Sequence, residues 1–333
     1  MRVESDNFND HPGYLISGAS TSEVLENTLN RVQSLVLRAV RRALREIDAR
    51  LCQEGQRVVI DSPAPDSDLS AAAFKEFLLT LDSSSAEERA YLMMHLNRLA
   101  TTLSIVPRPL RRPSRALELG CYMQMTPALK LKCGYEEIRG AYFGQLGLNV
   151  RRSASIAGRE VFACDIDLFD VESDMFPYPD DCFDLVLACE IIEHLERDPM
   201  HMLLEISRVL TTDGKLLITT PNSASISSIA NLLQGNRNAQ VFSSYPLPEK
   251  GEIKGIHVRE YTSIELQNVL NCAGFRIQQF FTTRCDASLG TWVYDLLRNE
   301  GFTTDHRGEQ IYCIAAKSPN DQIVRYPDFI YAK

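Results

Sequence analysis

Apolar positions along the chain keep two rhythms, and the change between them falls near residue 107. From Ser22 to Leu51 they stand at Leu25, Leu29, Val32, Val36, Val40, Leu44, Ile47 and Leu51, spacings of three and four that lay one stripe along a helix. The other face carries Arg31, Arg38, Arg41, Arg42, Arg45 and Arg50, a solvated basic face or a surface for an acidic partner or anionic membrane. A loop rich in Pro, Asp and Ser, Asp61 to Asp68, precedes a helix expected over Leu69 to Leu81. Ser84 or Ser85, three residues before Glu87 or Glu88, forms a capping box for a third helix that runs to about Leu103. Pro107, Pro109 and Pro113, interleaved with Arg108, Arg111, Arg112 and Arg115, cannot continue a helix. The expected organisation is therefore a helical accessory section at 1–106, a Pro/Arg linker at 107–114, a second domain at 115–318 and a tail at 319–333.

Beyond the linker, short apolar runs alternate with helical periods. Strands are expected at Ala116 to Leu119, Ile138 to Phe143, Val161 to Cys164, Phe183 to Cys189, Lys215 to Thr220, Phe275 to Thr282 and Gln310 to Lys317. Helices are expected at Thr126 to Lys132, Met200 to Leu210, Thr262 to Gly274 (with Thr262 and Glu265 as capping box) and around Trp292 and Leu296. This alternation predicts an α/β fold: a doubly wound, mostly parallel, seven-stranded sheet with helices on its faces.

Charge narrows the functions open to such a chain. Its 333 residues carry 35 basic and 44 acidic side chains, a net charge of −9, which argues against a whole-chain electrostatic grip on nucleic acid. No apolar run approaches the roughly 20 residues of a membrane helix, and MRVESDNFND lacks the basic and apolar regions of a secretory signal, so the expected address is cytoplasmic. Nine cysteines without a C-x-x-C pair read as reduced thiols.

Open α/β sheets bind ligands at the carboxyl ends of their strands, and three such ends are distinctive. The first is Leu117-Glu118-Leu119-Gly120-Cys121-Tyr122, where a strand breaks at glycine beside a carboxylate. The second is Asp170-Val171, continuing through Phe176-Pro177-Tyr178-Pro179-Asp180 into the fourth strand. The third is Thr219-Thr220-Pro221-Asn222. In this order, over about residues 115–318, the segments resemble the class I S-adenosylmethionine-dependent methyltransferases, and the expected sheet is then that family's Rossmann-like one. The resemblance implies that Glu118, Gly120, Cys121 and Tyr122 wrap the methionine part of S-adenosylmethionine, with Tyr122 standing where a second glycine is usual. It implies that Asp170 and Val171 read the adenine. Phe143, Cys189 and Glu190 complete the expected cofactor set, while the second strand runs into Ala141-Tyr142-Phe143-Gly144 without the acid that usually holds the ribose.

After the fourth strand the chain reads Cys189-Glu190-Ile191-Ile192-Glu193-His194-Leu195. Were a helix to begin here, Glu190, Glu193 and His194 would share one face at i, i+3 and i+4, and His257 could reach the same rim. The stretch is similar to the E-x-x-E-H of metal-dependent 2′-O-methyltransferases of small-RNA ends and of ubiquinone-pathway O-methyltransferases. By that resemblance Glu190, Glu193, His194 and His257 would hold Mg²⁺ or Mn²⁺. Two other readings stay open: the last Glu and His cap a helix and bond the sheet rim, or His257 works without metal as a general base, with Glu193 and His194 beside it.

Gly235 to Tyr261, long and without period, reads as a substrate lid in which Phe242 and Tyr245 shape or anchor the pocket. The expected function is methyl transfer from S-adenosylmethionine to a hydroxyl oxygen of a small molecule such as a sugar, sugar nucleotide or secondary metabolite. The alternatives are a non-catalytic interaction protein on the same fold and an RNA 2′-O-methyltransferase using a basic patch at Arg111 to Arg115, Arg151 and Arg152. The expected partners are the small acceptor and, through the N-terminal helices, a second copy of the chain.

Overall fold

The computed structural model describes residues 29–40, 42–43, 69–236, 257–284, 290–318 and 322–332. The chain divides into two compact units, Met1–Gln56 with Arg298–Phe302 and Arg57–Leu297 with Thr303–Lys333. In the first, residues 29–40 are helical (α1), and Leu29, Val32, Val36 and Val40 of the expected stripe are exposed. Leu25, Leu44, Ile47 and Leu51 lie outside the described residues, as do the loop at 61–68, Phe242, Tyr245 and most of the expected lid.

The second unit is built on β1 (Arg115–Leu119), β2 (Glu137–Tyr142), β3 (Asn149–Ile156), β4 (Arg159–Leu168), β5 (Phe183–Cys189), β6 (Leu210–Pro221), β7 (Phe275–Thr283) and β8 (Gln310–Lys317). They form one sheet in the order β3-β4-β2-β1-β5-β6-β8-β7. The inner strands β4, β2, β1, β5 and β6 pair in parallel, whereas β3 pairs antiparallel with β4 and β8 antiparallel with both β6 and β7. The expected doubly wound sheet is present with an eighth strand added: β3, an edge strand whose first five residues are all exposed.

Helices pack on both faces because each has one apolar side to bury. On one face α5 (Pro199–Val209) and α7 (Ser263–Cys272) bury Leu203, Ile206, Leu266 and Leu270 against Val186, Leu216 and Ile218. On the other, α2 (Ala71–Thr80), α3 (Ala86–Ser104) and α4 (Thr126–Leu131) bury Phe74, Leu78, Leu99 and Leu103 with Leu185 and Leu187. α6 (Ile226–Leu233) and α8 (Thr291–Asn299) share a small cluster of Ile226, Ala230, Val293 and Leu297. Both ends of the parallel core are fastened: Arg111 and the Arg115 backbone N–H bond Asp184, and near the C-terminus Arg325 and Tyr331 bond Asp198, the N-cap of α5. Among the described residues no helix is long and apolar enough to cross a membrane.

Candidate active site

β1 has β2 on one side and β5 on the other, so the chain leaves the sheet in opposite directions at their carboxyl ends and opens a crevice there. A cavity of about 670 Å³ fills it, lined by the turns after β1, β2, β4 and β5, by α3 and by His257 with Val258. Of the residues expected at the site, Glu118, Gly120, Tyr122, Phe143, Asp170, Val171, Cys189, Glu190, Glu193, His194 and His257 all line it.

The turn after β1 departs from regular backbone at Gly120, where φ is +64° and an added Cβ would stand 3.3 Å from Ile191 Cδ1. Tyr122, which replaces a usual glycine, does not need a left-handed backbone; Met123 takes that conformation instead, with φ +65°. The Tyr122 side chain swings over the crevice, where its hydroxyl meets that of Tyr142 at 2.9 Å and its ring stands edge-on to Tyr142 at 5.3 Å. This hydroxyl pair occupies the end of β2, where the resemblance leads one to expect an acid. Cys121 is a correction to the expected cofactor set: it does not line the cavity but points into the core, its Sγ 3.6 Å from Thr126 Oγ1 and 4.0 Å from Met123 Sδ. Glu118 lies 3% exposed at the end of β1, its Oε2 without a hydrogen-bond partner, and burial pushes its carboxyl well above the usual range.

The turn after β4 is held by its own acids. Asp170 accepts from the Glu172 N–H (2.9 Å), Ser173 Oγ (2.9 Å) and Arg197 Nη2 (2.8 Å). The Glu172 carboxylate in turn accepts the backbone N–H groups of Glu196, Arg197 and Asp198 at 3.1, 2.6 and 2.8 Å. Together they join the turn after β4 to the start of α5 and set one wall of the crevice.

After β5 the expected helix is absent, which corrects the ligand set built on it. Glu190 turns into the left-handed region at φ +56°, and only a short 3₁₀ turn, Ile192–His194, follows. Glu190 is thereby carried away from the other candidate ligands: its Oε1 accepts from Thr219 Oγ1 (2.8 Å) and Gln310 Nε2 (2.7 Å), and Oε2 lies 3.5 Å from Arg98. Glu193, His194 and His257 do converge, each offering a ligand atom within 4.8 Å of the others. Glu193 is fully buried; Oε2 accepts from Thr220 Oγ1 at 2.9 Å, Oε1 has no hydrogen-bond partner, and burial, then Glu190, raises its carboxyl well above the usual range. The Glu193 carbonyl accepts the Val258 and Arg259 N–H groups at 2.7 and 3.1 Å, which brings His257 to within 5.0 Å of the His194 ring. His257 Nδ1 meets Glu260 Oε1 at 2.7 Å, leaving Nε2 as its other ring nitrogen.

Among the lining residues that were not anticipated are Tyr91, His95 and Arg98 of α3. They lie at i, i+4 and i+7, so their shared helix face was legible, but that spacing alone does not say that the face meets a cavity. Burial, then Arg98, lowers the His95 imidazole pKa.

Residues 117–218 match the family model described as a methyltransferase domain, a stretch that includes the turns after β1, β2, β4 and β5. No curated protein matches the chain. Among solved structures it is similar to a SAM-dependent methyltransferase of Thermotoga maritima, at 18% identity over 74% of this chain and 98% of that one, with a TM-score of 0.41. It is also similar to a SAM-dependent methyltransferase of Archaeoglobus fulgidus, at 16% identity over 69% of this chain and 94% of that one, with a TM-score of 0.42.

Proposed function

We propose that the protein transfers a methyl group from S-adenosylmethionine to a hydroxyl oxygen of a small molecule in this cavity. The observation that carries the reading is the junction of a glycine turn with a buried, partnerless carboxylate oxygen at the end of β1, in a crevice of ligand size within a methyltransferase domain. Gly120 lets the backbone come close to the donor, and Glu118 Oε2 accepts a hydrogen bond from its ammonium. Asp170 already accepts three bonds, and a carboxylate has about four acceptor sites, which leaves one for the adenine amino group. Tyr122 and Tyr142 stand by for the ribose in place of an acid.

When bound, S-adenosylmethionine supplies an electrophilic methyl group, so the protein's part is alignment and control of the acceptor proton. His257, its Nδ1 oriented by Glu260, takes that proton at Nε2 as a general base. The second reading rests on the convergence of Glu193, His194 and His257 and on Glu193 Oε1, which has no hydrogen-bond partner and lies 3.9 Å from His194 Nε2. The three ligand atoms lie within 4.8 Å of one another, and all three residues line the cavity. Two imidazoles with one carboxylate suit Mn²⁺ better than Mg²⁺, and such an ion would acidify a bound hydroxyl.

Incubation with methyl-labelled donor and a panel of catechol, sugars and sugar nucleotides, with and without chelator, tests both readings. Label on a hydroxyl oxygen supports the proposal; label confined to nitrogen or carbon contradicts it. Loss of transfer on chelation, restored by Mn²⁺, selects the metal reading, and indifference to chelation selects the His257 base.

A further inference from the structure

α3 sends a cation into the cavity that the methyl-transfer reading leaves unused. The Arg98 side chain is 13% exposed and lines the cavity, yet its neighbours occupy little of its donor capacity. Nη1 stands 3.5 Å from Glu190 Oε2, well beyond the roughly 2.7–2.9 Å of a charge-assisted hydrogen bond. Nη2 donates to the Tyr91 hydroxyl at 3.3 Å. Glu190 does not close on Arg98 because its other oxygen is tied to Thr219 of β6 and Gln310 of β8. A guanidinium carries five N–H donors in a planar fork that matches a carboxylate edge to edge. Here the fork is largely withdrawn from water, always charged, and met by one distant carboxylate oxygen and one phenol. A second anion in the cavity would complete it.

We propose that Arg98 is a carboxylate-binding residue of this cavity, its guanidinium taking a ligand carboxylate beside the Tyr91 hydroxyl. Two sources offer that chemistry: the amino-acid end of the methyl donor, or an acid group on the acceptor. The first rests on the donor reading above, and the partnerless Glu118 Oε2 in the same cavity gives an amino acid's ammonium its own acceptor. The second needs only the cavity.

Titration of the full chain separates the sources. The probes are S-adenosylhomocysteine, 5′-methylthioadenosine (which lacks the amino-acid end) and benzoate added to protein saturated with S-adenosylhomocysteine, each against wild type, Arg98→Gln and Arg98→Lys. If the carboxylate is the donor's, Arg98→Gln weakens S-adenosylhomocysteine by about tenfold to a hundredfold, leaves 5′-methylthioadenosine unchanged, and Arg98→Lys falls between. If it is the acceptor's, S-adenosylhomocysteine is unchanged and benzoate binding is lost in Arg98→Gln. Equal weakening of both nucleosides, or no change in any probe, overturns the proposal. Should wild type fail to bind S-adenosylhomocysteine, the donor reading falls, and benzoate binding to the ligand-free protein decides Arg98 by itself. Should Arg98→Gln fail to fold, wild type with S-adenosylhomocysteine and its decarboxylated analogue replaces it: affinities within threefold, with no benzoate binding, overturn the proposal.

Discussion

Gly120 and Glu260 act on the site by different physical routes, one through backbone and one through a ring orientation. An alanine at 120 must hold φ near +64° at a cost of about 1–2 kcal/mol and press its Cβ on Ile191. Gly120→Ala is therefore expected to weaken S-adenosylhomocysteine binding about tenfold by calorimetry, because turn and ligand compete for the same backbone. Glu260→Gln keeps the hydrogen bond to His257 but removes its charge, and transfer activity or Mn²⁺ affinity should fall about 10–100-fold without loss of donor affinity. At this scale the sequence showed residue types better than their geometry. Gly120 and Glu118 were legible only as one of three strand ends taken in order, because glycine at a strand end is common wherever the chain turns. Glu190 was misplaced because spacing fixes relative position only inside a regular helix, and a left-handed residue ends that inference at its first step. Cys121 sits inside the right turn but faces the core, a distinction that neighbouring letters do not carry.

α5 illustrates how an element is held in place by something distant in the chain. Its N-cap, Asp198, accepts the His201 N–H and is bonded by Arg325 and Tyr331. Burial by itself would raise the Asp198 carboxyl, but these bonds outweigh it and hold the pKa at about 2, below the usual 3.8. A depressed carboxyl contributes stability that is present above its unfolded pKa and lost as pH falls through the folded one. Asp198→Asn should accordingly lower thermal stability at pH 7 by a few degrees, and the difference from wild type should shrink between about pH 4 and pH 2. A difference that persists unchanged at pH 2 would assign the effect to packing. Buried strands were readable from their apolar runs, since both faces of a parallel core are covered. β3 was not, because an edge strand written NVRRSASI buries little and shows no apolar run. α6 was missed for a related reason: it is eight residues long and packs in a small cluster apart from the main core.

The described residues that line the cavity all belong to the second unit, where α2 and α3 are part of the core and α3 also forms part of the cavity wall. Phe74, Leu78, Leu92, Leu99 and Leu103 are all at most 4% exposed, and at about 1.5–3 kcal/mol for each buried side chain their loss would rival the stability of an entire domain. A chain beginning at residue 69 is expected to keep donor affinity within twofold of the full chain, whereas one beginning at residue 107 should not yield folded protein by circular dichroism. The texture change near residue 107 marks where the sheet begins, which is a different boundary from where the core begins. The most direct test of the account is calorimetric titration of the full chain with S-adenosylhomocysteine. Saturable binding with one site per chain is the predicted result, and absence of saturable binding at millimolar ligand would contradict it.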